Sequence, residues 1–197
     1  MSDAAGVARA RTLDYFRTRA AELDAPRIRA RVRSAGAELE STLADLAETD
    51  ARQPGRPGEW TVAQVVDHIA QSTVRAAEEL RHLLAGHRPP GPPVYEGLLS
   101  GAAHRVPWSE LIQGLREASA ALDAVLAEAA RHPLPDGGAA AATVATILTA
   151  GAPDPASEPE PFAAELSWKE YALVQRVHFL DHREQIRRLR AALGTPS

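Results

Sequence analysis

Apolar residues recur along this chain in steps of three and four, and the longest such runs are separated by clusters of proline and glycine. Steps of that size lay a stripe along one face of an α-helix, so the pattern predicts a helical protein. From Arg27 the stripe reads Ile28, Val32, Ala35, Leu39, Leu43 and Leu46 and predicts a first bundle helix, broken by the prolines and glycines between Arg52 and Glu59. The second helix has a marked start. Thr61 can cap it, Gln64 stands three positions on as the reciprocal partner, and Trp60 before the cap can pack on Val65. This helix is placed from Thr61 to Ala85, where Gly86 ends it, and the segment from Arg88 to Pro93 is stiff and extended. A third helix begins near Pro107 to Ser109, carries Leu111, Leu115, Ala118, Leu122, Val125 and Ala129, and stops before Pro133. The fourth repeats the device of the second: Ser167 and Glu170 form another potential capping box, Leu166 can staple onto Tyr171, and Gly194 and Pro196 close the helix after about Leu193.

Two segments stand outside this pattern. Val7 to Leu23 is helical in composition but weakly striped and reads as an extra N-terminal helix, punctuated by Asp24-Ala25-Pro26. Pro133 to Glu165 is rich in Ala, Gly, Pro and acid, and within it Ala139 to Ala150 reads equally as a short helix or a strand. The expected fold is all-α, a four-helix bundle with an N-terminal extension over residues 1–25, a bundle over 26–193 and an Ala/Pro-rich insert before the last helix. A length of 197 residues suits one well-buried core, so a single domain over 1–197 is expected.

Composition supports the class and narrows the chemistry. The chain is 45% hydrophobic but only 5% aromatic, so Ala, Leu and Val dominate, a mix that favours helices. The net charge of -4 is spread among interspersed Arg and acidic residues, and Arg27, Arg29, Arg31 and Arg33 distribute around a helix, so nucleic acid is not an expected partner. No apolar stretch reaches the roughly 18 residues of a spanning helix and the N-terminus carries no signal pattern, so a cytoplasmic protein without a membrane partner is expected. A homodimer is compatible with this pattern. Cysteine is absent, which excludes thiolate ligands and an internal thiol nucleophile; metal chemistry here must use histidine, carboxylate or water. Lys169 is the one lysine among 22 basic residues, which with abundant Ala and Pro looks like a GC-rich genome.

Histidines carry the candidate chemistry. On the fourth helix the inward stripe reads Tyr171, Val174, His178, His182, Gln185 and Leu189, so two imidazoles one turn apart interrupt a packing face. That spacing presents two ligands to one metal, although a pair of satisfied polar groups at a core edge has the same spacing. His68 lies on the border of the second helix's stripe of Val62, Val65, Val66 and Ile69. It sits about 10 Å from the start of its helix, and the fourth-helix pair about 16 to 22 Å from theirs, so three rings can meet at one level. Converging there without a metal would be costly, because each ring needs polar partners. His82 and His87 at the end of the second helix, and His104 and His132 near prolines, read as surface residues. Asp67 points half a turn away from the target of His68, Asp181 and Glu184 point elsewhere, and Gln185 is placed to hydrogen-bond a ligand from outside or simply to sit at the core edge.

The run Glu59-Trp60-Thr61-Val62-Ala63-Gln64-Val65-Val66-Asp67-His68-Ile69, together with His178-Phe179-Leu180-Asp181-His182-Arg183-Glu184-Gln185-Ile186, resembles the DinB/YfiT-like superfamily of metal-binding bundles over about residues 27 to 193. The resemblance implies an up-down-down-up bundle with His68, His178 and His182 as ligands of one divalent metal. Zinc is the first choice on ligand type, with nickel or iron as alternatives. Three neutral imidazoles leave a position open for water or substrate. Many members of the family are thought to be S-transferases in which the metal activates a low-molecular-weight thiol toward a small electrophile, and some resemble mycothiol-dependent isomerases. With no cysteine in the chain, the thiol would arrive as a cosubstrate, mycothiol-like if the composition signals such a source. Trp60, Tyr171 and the second long loop are candidates to shape the pocket. Metal-assisted hydrolysis of a small molecule, and a non-catalytic bundle that retains its metal, are the alternatives.

Overall fold

The computed structural model describes residues 2–56, 58–92, 98–131, 142–150 and 160–194. His132, Pro133, Pro93, Pro196 and residues 139–141, on which parts of the sequence reading fall, lie outside these. Helix α1 spans Ser2–Glu22, α2 Ala25–Ser41, a single turn α3 Glu48–Ala51, α4 Val62–Leu84, α5 Trp108–Arg131 and α6 Trp168–Ala192. Local chemistry sets the starts. Asp24 accepts from the Arg27 N–H at 2.9 Å ahead of Pro26. Thr61 and Gln64 exchange bonds, Gln64 N–H to Thr61 Oγ1 at 3.2 Å and Thr61 N–H to Gln64 Oε1 at 2.9 Å. The Ser167 N–H donates to Glu170 Oε2 at 2.7 Å. These contacts satisfy backbone donors that a helix N-terminus leaves without intrahelical partners.

Side-chain pairs between helices fix the directions. Arg29 meets Asp123 and Arg116 meets Glu40, so early α2 lies on late α5 and the two run antiparallel. The Phe179 ring lies against Gly36, Arg183 bonds Glu38, and Arg190 bonds Asp45 just beyond α2, so α2 and α6 run parallel. Tyr171 at the start of α6 bonds Glu79 late in α4, which makes that pair antiparallel. The senses combine to up-down-down-up for α2, α4, α5 and α6, with α4 and α5 parallel and joined by the long connection. α2 and α4 each pack on both α5 and α6, which places the two on a diagonal. The core between them is built from Ile28, Leu39, Ile69, Leu80, Leu115, Leu122, Phe179 and Ile186, all at most 2% exposed.

Two details depart from the sequence reading. The stripe assigned to the first bundle helix continues through buried Leu43 and Leu46, yet α2 ends at Ser41. Thr42 and Leu43 bond back three residues, to Leu39 and Glu40, so the chain keeps turning and keeps the periodicity after the α-helix has stopped. The insert holds an antiparallel hairpin, β1 Val144–Ala150 against β2 Glu160–Leu166, with Val144 opposite Leu166 and Ala150 opposite Glu160. That resolves the helix-or-strand alternative for 144–150 as strand and adds a small sheet to a mostly helical fold. Strand β2 buries Phe162, Ala164 and Leu166 and exposes Pro161, Ala163 and Glu165, the alternation of a half-buried strand. The hairpin packs on α1, where the Arg9 guanidinium lies 5.7 Å from the centre of the Phe162 ring. Among the described residues no helix is long and apolar enough to cross a membrane.

Candidate metal centre

His68 stands two turns into α4, and His178 and His182 flank the middle of α6. Because α4 and α6 are antiparallel, these positions face one another. One nitrogen from each ring lies within 4.8 Å of the other two. The ring centres are 5.2 Å apart for His68 and His178, 4.9 Å for His68 and His182, and 4.4 Å for His178 and His182. All three predicted site residues are thus brought together. Of the stripe expected on the fourth helix, Tyr171 and Leu189 are buried, whereas Val174, His178, His182 and Gln185 are half-buried; the histidines occupy the margin beside the buried Ala172, Gln175, Phe179 and Ile186. The reason is geometric: α6 packs on α2 and α4 at once, and the ring-bearing margin is the side turned to the start of α4.

Each ring has its own surroundings. His68 Nδ1 lies 3.1 Å from the Leu98 carbonyl oxygen, which can only accept, so Nδ1 carries the proton and Nε2 is left with its lone pair. His182 Nδ1 lies 2.7 Å from Gln185 Oε1, which fixes its Nε2 in the same way. His178 Nε2 is buried and has no hydrogen-bond partner. Burial, then the neighbouring His182, pushes the His68 imidazole down to about 4. Burial and the other two rings hold His178 well below the ordinary histidine range, and burial lowers His182 against the opposing bond from Gln185. All three are therefore neutral donors at pH 7, the form in which imidazole ligates a metal.

The donor set suits a divalent ion. Zinc–imidazole bonds of about 2.0–2.1 Å place tetrahedral ligand nitrogens about 3.3 Å apart, and nitrogens already within 4.8 Å need only small ring rotations to reach that. An orphaned buried nitrogen on His178 costs about 1–3 kcal/mol unless something fills it. The hydrogen bonds at His68 and His182 are of the kind that orient metal-ligating rings.

The support for His68 comes from a residue whose role the sequence did not reveal. Asp67 is 2% exposed and turns away from the rings, as expected; its carboxylate accepts from the Ser100 N–H at 3.1 Å, the Ser100 hydroxyl at 2.6 Å and the Gly101 N–H at 3.1 Å. Gly101 has φ +75°, which lets the backbone curl around that carboxylate. Arg52 ties the same segment from the other side, donating to the carbonyls of Ala103 and, at 2.6 Å, Val106. The loop so held delivers the Leu98 carbonyl to His68.

A pocket of about 570 Å³ opens beside His68 and His182, lined also by Arg56, Glu59, Trp60 and Arg188. The Trp60 ring centre is 5.2 Å from that of His68, so this tryptophan does shape the pocket. Tyr171 does not: it is buried at the far end of α6 and donates to Glu79. Among the described residues the wall comes from the segment before α4 and from late α6, and none of the lining belongs to the second long loop. Gly55 lets that segment approach α6, since a Cβ there would meet Leu189 at 3.1 Å and the Glu59 carboxylate at 3.2 Å. His82, His87 and His104 are exposed and stand apart from the three rings.

Fold and cluster together define a four-helix bundle with three convergent neutral histidines at the edge of a pocket. The sequence model of the DinB superfamily matches residues 31–186, and the chain belongs to that superfamily. Among solved structures it is similar to YfiT from Bacillus subtilis, described as a probable metal-dependent hydrolase with an unusual four-helix bundle topology. The two share 18% identity at a TM-score of 0.62, over 87% of this chain and 89% of that one, a likeness of fold. No curated protein matches the sequence.

Proposed function

We propose that this protein is a metal-dependent enzyme in which His68, His178 and His182 hold one divalent ion, zinc in the first instance, with a low-molecular-weight thiol as cosubstrate and a small electrophile as its target. The observation that carries the reading is the cluster itself: three neutral imidazoles with one nitrogen from each within 4.8 Å of the others, one ring with an orphaned buried nitrogen, beside an accessible pocket. A divalent ion held there supplies Lewis acidity that lets a thiol or a water lose its proton near neutral pH. The chain's own residues do the rest. The Leu98 carbonyl and Gln185 hold two rings in the ligating tautomer, Trp60 walls the pocket, and the protein offers no thiol of its own, so the nucleophile is brought in. With an activated aryl chloride as test electrophile, a C–S bond forms, chloride leaves and the thiol proton passes to solvent.

The described relationship to YfiT favours a second reading, hydrolysis of a small molecule, and Glu59 is the carboxylate lining the pocket that could serve a water nucleophile. A cytoplasmic location and a homodimeric assembly belong to the same proposal. The test is consumption of 1-chloro-2,4-dinitrobenzene with mycothiol, bacillithiol and glutathione, in metal-loaded and metal-stripped protein. Thiol-dependent chloride release that needs the metal supports the transferase. Metal-dependent turnover of ester substrates with no thiol added replaces it with the hydrolase.

A further inference from the structure

Three imidazoles bring no negative charge, so an ion at this cluster keeps its full 2+ charge in a half-buried setting. The acids nearby are committed elsewhere or lie at the surface. Asp67 spends its oxygens on Ser100 and Gly101, and Glu184 is paired with Arg183 and Arg187. The pocket adds more positive charge. Arg56 and Arg188 both line it, against Glu59 as the one acid of the lining. Among the described residues neither arginine lies within ion-pair distance of a carboxylate, whereas the neighbours of Arg188 on α6 are held: Arg183 by Glu38, Arg187 by Glu184 at 2.9 Å and Arg190 by Asp45 at 2.9 Å. A guanidinium left uncommitted on a pocket wall is an anion receptor, because its fork of N–H donors matches a carboxylate. Glu59 offsets one of the two, leaving one net positive charge at the rim.

We propose that the molecule reaching the three histidines carries a carboxylate, which Arg56 and Arg188 receive at the rim while its other end lies at the histidine cluster. This rests on the metal reading above, and in the thiol form of that reading it favours a carboxylate-bearing cosubstrate such as glutathione or bacillithiol over mycothiol, which carries none. A neutral ligand would leave the one net positive charge at the rim and the ion's charge uncompensated, so charge selects the ligand before shape does.

The test uses ω-carboxyalkyl hydroxamates with two, three and four methylenes and their uncharged terminal amides, titrated into cobalt-loaded protein and followed by the visible absorption of the cobalt. The head group is common to each pair, so only the tail differs. The best carboxylate should bind at least about tenfold more tightly than its amide, and the double variant Arg56→Gln/Arg188→Gln should bring the pair to within about twofold. Both arginines are exposed, so the variant is expected to fold, and unchanged cobalt uptake checks it. Clear spectral changes with equal affinities for acid and amide, or a preference that survives the double substitution, overturn the carboxylate assignment and leave the metal centre standing. Failure of the protein to take up cobalt, or of any head group to alter its spectrum, overturns the metal reading and this inference with it.

Discussion

Two groups of polar side chains interrupt the interface between α4 and α6, about 16 Å apart along the bundle, and they are completed differently. At the far end Tyr171 donates to Glu79, and Glu79 also accepts from Arg75 Nε at 2.8 Å; burial and Glu79 together hold the phenol protonated. Every charge there has its partner inside the protein. At the near end His68 and His182 each commit one nitrogen to the protein, and His178 Nε2 is buried with nothing to bond. Buried polar groups that satisfy one another read as structure, whereas a convergent set left short of partners reads as a place for a ligand. The same pair of helices thus supplies a closed polar contact and an open one.

The largest expected effect falls at the open end. His178→Ala should weaken divalent-metal affinity by more than about 100-fold, beyond the range typical of residues that only orient ligands, measured by competition with a chromogenic chelator. Asp67→Ala should cost about 10- to 100-fold, because it releases the loop that brings the Leu98 carbonyl to His68 without removing a ligand. Equal losses in the two variants would mean that Asp67 does more than hold that loop.

Acid should separate the two ends next. A histidine in the unfolded chain titrates near 6.5, while His68 in the folded chain titrates at about 4. Between those values the unfolded state takes up a proton that the folded state refuses, so the stability of metal-free protein falls as pH falls from 6.5 toward 4. Thermal melts of metal-free protein at pH 7 and 5 should show a loss of a few degrees that is smaller in His68→Gln. The smallest effect on the metal belongs to Tyr171→Phe, which should lower stability by about 1–2 kcal/mol in urea melts and leave metal affinity unchanged. A shift in metal affinity there would show that the two ends are coupled.

Much of this was legible in the residues, for reasons that also explain what was not. Capping boxes are local, so Thr61 with Gln64 and Ser167 with Glu170 announced two helix starts that the structure contains. The i, i+4 pair His178 and His182 is local too, and His68 could be brought to it by counting turns. In the acidic, Pro-rich insert β1 was open between helix and strand and β2 was missed, although Phe162, Ala164 and Leu166 carried a period of two that a strand template would have caught. Leu98, Asp67, Arg56 and Arg188 left no signal, because their relation to the rings runs through a loop or a pocket wall, and spacing along the chain says nothing of either.

Elemental analysis of the purified protein, joined to a zinc titration of the stripped form, tests the central claim most directly. One divalent ion per chain, retained through gel filtration, restored stoichiometrically on titration and lost in His178→Ala, is the result predicted. Wild type that holds no more metal than His178→Ala, before or after titration, would contradict a metal centre at His68, His178 and His182.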